Sequence, residues 1–219
     1  MYQKLSFKNI VLSLFGIAFA FLFPHLGIIP IIFGYSIPVL VILWLLLKTT
    51  RENWASLGFS FKDFELKAVW IGAIAAVLLF AFLNYFFFPL LSKLFTLPKA
   101  NLDDFAFIRH HLINFIFILS MSFLIGGWYE ELVFHGFIFT RFEKMIPKKY
   151  SVLAPFLITN IIFSLYHWQL GIYGIINAFL AGCAYQGMML KFKRNMWYAI
   201  FFHGFFDVIA FTYIFLGYW

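Results

Sequence analysis

INFIFILSMSFLIGGWYEELVFHGFIFT, residues 113–140, reads as a membrane helix with two adjacent acids inside it, Glu130 and Glu131. A charged side chain at the centre of a membrane helix costs roughly 2.5–3.5 kcal/mol on insertion scales. Side chains that pay this cost usually face a bundle interior or a water-filled cavity. The stretch is therefore expected to span a membrane with Glu130 and Glu131 turned away from lipid. The bland alternative ends the span near Ser122 and leaves the acids in the headgroups after Gly126-Gly127.

The rest of the chain supports a membrane setting. Its 219 residues are 64% hydrophobic and 11% charged, with 34 phenylalanines, and mean hydropathy is +0.93. Soluble domains are nearer half apolar and a quarter charged. The expected fold is all-α, a polytopic transmembrane helix bundle forming one integral-membrane domain over 1–219. A single cysteine, Cys183, excludes an intramolecular disulfide and a cysteine-based metal site. A net charge of +7 would point to nucleic acid in a soluble chain. Here it reads as loop charge that sets orientation, and no nucleic-acid partner is expected. The apolar run Ile10 to Phe23 follows Lys4 and Lys8 but has no small-x-small cleavage site, so it is expected to be a retained first span.

Seven candidate spans follow at about 9–24, 28–47, 67–91, 112–140, 152–170, 172–190 and 196–216. The fourth exceeds one crossing. It is either tilted or broken at Gly126-Gly127, and a break would make eight spans. With the N-terminus inside, Lys4, Lys8, Lys48, Arg51, Lys62, Lys67, Arg141, Lys144, Lys148, Lys149, Lys191, Lys193 and Arg194 are cytoplasmic. Only Lys93, Lys99 and Arg109 remain outside. That split predicts a cytoplasmic N-terminus and an outer C-terminus. The Phe/Ile/Lys-rich composition points weakly to a low-GC bacterium, hence a bacterial plasma membrane. The segment TTRENWASLGFSFKDFELK between spans two and three mixes charge with aromatics, as an interfacial helix or loop does. Asp103, Asp104, His110 and His111 read as a solvated outer loop.

Within the last four spans the polar residues are Glu130, Glu131, His135, Asn160, His167, Asn177, Gln186, His203 and Asp207. The ionisable ones fall in EELVFH, FSLYH and HGFFD. Glu131 and His135, Phe163 and His167, and His203 and Asp207 are each four apart, so each pair shares a helix face. At 1.5 Å per residue, Glu130 lies roughly 16 Å from Arg141 and His203 roughly 14 Å from Arg194. His167 matches only if its helix is counted from Pro155, at roughly 18 Å. The three segments are then expected to meet at one level, opening toward the cytoplasmic half of the bilayer. Carboxylates beside imidazoles in such a cavity suit activation of water by a general base. Glu130, His167 and His203 are also a donor set for one zinc ion with water as the fourth ligand. No HExxH is present. Asn160, Asn177 and Gln186 are expected to join helices rather than catalyse, and His25 is expected at the membrane interface.

EELVFHG resembles the EExxxR motif of the CPBP family, which holds CAAX proteases and bacteriocin-processing (Abi) proteins. FSLYH resembles its FxxxH motif, HGFFD its HxxxN/D motif, and WASLGF a common family feature. The motifs stand in the family's order on successive late hydrophobic segments, in a CPBP-like core of about 112–216. The resemblance implies a membrane-embedded endopeptidase acting on a membrane-associated peptide or protein. It implies Glu130 as the base that activates water, with Glu131 as the second, supporting glutamate. His167 would position the water, and His203 and Asp207 would stabilise the oxyanion. Eukaryotic relatives cleave prenylated C-terminal motifs, and bacterial members recur in bacteriocin immunity and peptide maturation. Members have been described both as metalloproteases and as glutamate-dependent proteases, so the cofactor is either none or one zinc ion. One departure stands out: His135 occupies the family's arginine position. Two other readings remain open, a non-catalytic peptide-binding immunity protein and a small proton-coupled transporter.

Overall fold

In lipid, backbone N–H and C=O groups find partners only within a helix or a closed barrel. The long apolar runs accordingly fold as helices, and no strand occurs among the described residues. The computed structural model describes residues 6–29, 31, 33–96, 98, 100–150 and 152–218, without the side chain of Lys148. Lys4, Lys99 and Trp219 lie outside the described residues.

Helices overlap the seven expected positions, the second starting only at Ser36. They are α1 (Phe7–Leu26), α2 (Ser36–Thr49), α3 (Leu66–Leu94), α4 (Leu112–Met145), α5 (Leu153–Tyr166), α6 (Gly171–Lys191) and α7 (Met196–Leu216). Four of them, α1, α3, α4 and α7, are long and apolar enough to cross a membrane. The 14-residue α2 and α5 are shorter apolar helices. The break considered at Gly126-Gly127 does not occur, because α4 is continuous through both glycines. From Ser122 to Ile138 it takes the wider π register. Such segments are rare and concentrate at functional sites.

Gly126-Gly127 serve packing instead. A Cβ at Gly127 would lie 2.7 Å from the carbonyl oxygen of Ile200, and one at Gly126 would run into the carboxylate of Asp207. The glycines thus admit α7 against α4 and bring HGFFD to the acids.

The connections gather on two opposite faces. On one, the 51–65 link meets the end of α4 and the α6–α7 link. Glu52 pairs with Arg141 and, at 2.6 Å, with Lys144, while Arg194 pairs with Glu143. Asn195 Nδ2 donates to the Asp63 carbonyl at 2.7 Å, and Met196 N–H donates to the Gly58 carbonyl at 3.0 Å. The 51–65 link consists of short turns, Trp54–Leu57 and Phe61–Asp63, whose Phe59, Phe61 and Phe64 surround Trp197. On the other face, His110 N–H donates to the Phe215 carbonyl and Asn101 N–H to the Leu170 carbonyl. Phe105 packs at a tilt against Phe211 there, and His25 meets Trp168 edge-on. The face holding Glu52 is the one rich in lysine and arginine, as the loop-charge split expects.

That basic face contains a clamp absent from the sequence reading. Arg141, counted there as a topology charge, is only 1% exposed. Partial burial pushes the Glu52 carboxyl up, but hydrogen bonds and charges of Lys144 and Arg141 outweigh it and hold it below the usual range. The clamp's contribution to stability is therefore present above the ordinary carboxylate pKa and is lost as pH falls through the lower folded value. Replacing Glu52 by Gln leaves a buried guanidinium without its counter-charge. This is expected to cost about 3 kcal/mol, read by equilibrium unfolding in detergent at neutral pH. The difference from wild type shrinks in acid.

Candidate active site

The π segment of α4 carries Glu130, Glu131 and His135 into the bundle, where Glu131 and His135 are wholly buried and Glu130 is 8% exposed. The alternative of acids in the headgroups is not what the structure shows. Glu131 is the hub. Its Oε2 lies 2.7 Å from His135 Nδ1 and its Oε1 lies 2.9 Å from His203 Nδ1. Glu130 points to the other side of the same cluster. Its Oε2 is 3.6 Å from His167 Nε2 and 4.0 Å from His203 Nε2. Asp207 Oδ2 lies 3.7 Å from His203 Nε2, one turn along α7. All five residues singled out as catalytic are thus brought to one place. The depth count that needed Pro155 as a start is consistent with α5, whose first turn contains that proline.

The backbone fixes the imidazoles. His167 follows the last residue of α5, and its Nδ1 is 2.8 Å from the Phe163 carbonyl. A carbonyl can only accept, so Nδ1 carries the hydrogen, and in the neutral ring Nε2 turns a lone pair toward Glu130. Phe163 adds its ring, 4.7 Å from that of His167. His203 is oriented by Glu131 on one edge and by Tyr185, stacked on its face at 4.4 Å and 18°.

His135 makes the contact expected of the family's arginine. The Asn160 amide nitrogen donates to the Phe156 carbonyl at 2.8 Å and to Gln186 Oε1 at 2.6 Å. Its oxygen therefore faces His135 Nε2, 3.3 Å away. His135 thus bridges Glu131 and Asn160 through its two ring nitrogens. Asn160 and Gln186 are helix-joining residues as expected, but they also set the direction of this network. Replacing Asn160 by Leu orphans a buried donor and is expected to cost about 2 kcal/mol of stability, measured against wild type by unfolding in detergent.

A cavity of about 760 Å³ leads to the cluster and is lined by Glu130, His167, His203 and Asp207 at its depth. Its other lining comes from His25, Ile31, Asp104, Phe105, Trp168 and Gln169, among others, all on the face opposite the basic one. No residue of the 51–65 link, of the end of α4 or of the α6–α7 link lines it. The cavity does not reach the basic face, toward which the opening was expected; ion pairs of Arg141 and Glu143 lie there instead. Asn177, expected as helix glue, lines the cavity wall. His25 is more than interfacial, lying between the carbonyls of Phe21 and Tyr166 at 2.9 Å each. Tyr185 and the buried hydroxyl of Tyr129 beside Glu130 were missed, because a tyrosine within an apolar helix reads as packing.

No group of three or more His, Cys, Asp or Glu side chains among the described residues is disposed to hold a metal ion. The Glu130–His167–His203 zinc set does not form as a ligand group, and no step below is routed through metal. The outer-loop Asp103, Asp104, His110 and His111 form no such group either.

Residues 112–209 match the family described as Rce1-like, type II CAAX prenyl endopeptidase Rce1-like. The matched stretch holds all the cluster's acids and histidines and is similar to that family over less than half of the chain. The family is described as one of endopeptidases; the chain itself is all-helical among the described residues, with four helices long and apolar enough to cross a membrane. No curated protein and no solved structure matches the chain.

Proposed function

We propose that this protein is a membrane-embedded endopeptidase that cleaves a membrane-associated peptide or protein with water activated by Glu130. The observation that carries the reading is the placing of Glu130 Oε2 at 3.6 and 4.0 Å from two imidazole nitrogens at the bottom of a cavity. Those separations are too long for direct hydrogen bonds and suit a bridging water. Glu130 takes the proton of that water as it attacks the scissile carbonyl. The His167 Nε2 lone pair holds the second water hydrogen. His203, as an imidazolium with Nδ1–H on Glu131 and Asp207 beside it, donates its Nε2–H to the oxyanion that develops. The proton on Glu130 passes to the leaving amine as the tetrahedral intermediate collapses. Glu131 touches no reacting atom; it orients His203 and ties His135 into the wall.

The chain forms one integral-membrane unit of seven spans, with its basic face and N-terminus in the cytoplasm. Loop charge supports this, since lysine and arginine collect on the face that the alternating helices share. Bacteriocin immunity and peptide maturation, in a bacterial plasma membrane, are the processes in which such an enzyme would act. CAAX-type processing is the other.

The test is cleavage itself. Purified protein in lipid is incubated with a panel of membrane-anchored peptides and products are mapped by mass spectrometry. Discrete cuts within or beside an apolar segment are expected. A folded protein that cuts none of the panel, yet protects cells as well as before when Glu130 is replaced, would transfer the reading to a binding protein.

A further inference from the structure

We propose that Tyr185 is a positioning residue for the cleavage reaction, the face of its ring supporting the positive charge that His203 carries as it donates to the oxyanion. The inference deepens the protease reading and rests on it. Tyr185 stands on α6, a helix that supplies none of the acids or histidines of the cluster. Its ring is stacked on the imidazole of His203, with centroids 4.4 Å apart and planes 18° from parallel. A cation within about 6 Å of an aromatic face is attracted by the ring quadrupole, and more strongly where water is excluded. Tyr185 is 1% exposed and His203 5% exposed, so little solvent screens the pair.

The neighbours hold this stack in place. Phe202 and Phe206 of α7 meet the Tyr185 ring edge-on, with centroids at 4.9 and 6.1 Å. Gly182, on the same helix, lets α6 close on α5, since a Cβ there would lie 2.6 Å from Asn160 Oδ1 and 2.7 Å from Phe163 Cδ1. Gln186, the next residue, accepts from Asn160 Nδ2 at 2.6 Å. The rotation of α6 is thus set on both sides of Tyr185.

The acids reach His203 at its edge, not its face. Glu131 takes Nδ1 at 2.9 Å, while Asp207 and Glu130 stand 3.7 and 4.0 Å from Nε2. In the proposed reaction Glu130 takes a proton from water, and its negative charge beside His203 is then lost. The quadrupole of Tyr185 does not change with that transfer, so the ring face supports the imidazolium while the oxyanion exists.

The test varies the ring's electrostatics without varying its shape. Wild type is compared in lipid with Tyr185→Phe and with mono-, di- and trifluorinated phenylalanine placed at the same position by stop-codon suppression. Fluorine drains charge from the ring face and leaves the packing nearly as it was. Tyr185→Phe is expected to cut at close to the wild-type rate. With each fluorine kcat then falls, by about tenfold over the series, while KM holds steady. Unfolding in detergent is expected to be the same across the series, which a purely structural ring would predict for kcat as well. A kcat that ignores fluorination overturns the inference. So does a Tyr185→Phe protein that already shows the full loss, because the effect then belongs to the hydroxyl. Wild-type protein that cuts no peptide of the panel removes the protease reading and this inference with it. Wild-type protein that cuts, beside a flat fluorine series, removes the inference alone.

Discussion

Glu130→Gln is expected to lower the cleavage rate by about a thousandfold, within the 10²–10⁴ range that a positioned acid–base group contributes. The amide is nearly the same size but cannot take a proton from water. Folding should be almost untouched. Glu130 stands 3.6 and 4.0 Å from its imidazole neighbours, beyond direct hydrogen-bond distance, so the change breaks no bond between them. Rate and unfolding should therefore separate, with activity lost and stability near wild type. A Glu130→Gln protein that melts early would mean that the glutamate is structural. One that melts normally and cuts at the wild-type rate would remove it from the chemistry.

Glu131→Gln should behave in the opposite manner. Both carboxylate oxygens of Glu131 are used, at 2.7 Å by His135 and 2.9 Å by His203. An amide keeps one acceptor and turns its NH₂ toward a ring nitrogen that needs one. A buried polar group left without its partner costs about 1–3 kcal/mol, more where charge is involved. A loss of about 3 kcal/mol is expected, because the site is fully buried and two histidines share the acid. Activity falls with it, since His203 loses the contact that aims its Nε2. Unfolding and rate measured on the same preparation would show both. Wild-type stability in Glu131→Gln would contradict the placing of this residue at the centre of the network.

Much of this was legible in the sequence because membrane cost makes polar residues informative. Few ionisable side chains occur in the late helices, and Glu130, Glu131, His135, His167, His203 and Asp207 come together in the structure. Four-residue spacing identified the Glu131–His135 pair, which forms even though α4 there is a π-helix. The π register itself left no local signature, since it depends on how Gly126-Gly127 let α7 approach. Arg141 and Arg194 were read correctly as residues of the basic face but not as ion-paired. Their partners Glu52 and Glu143 are 89 and 51 residues away in sequence. Which loops line the cavity was not legible for a related reason. Depth counting locates residues along a helix, whereas access depends on which loops close over them.

One measurement tests the central claim most directly. A single turnover is run in ¹⁸O-labelled water with enzyme in excess over a cleavable membrane peptide, and both product and enzyme are weighed by mass spectrometry. Direct attack by the water held at Glu130 predicts one labelled oxygen in the new C-terminal carboxylate and none in the Glu130 peptide of the enzyme. Label in Glu130, or a product carrying none, would mean that the glutamate itself attacks the carbonyl, and the role assigned to it here would be wrong.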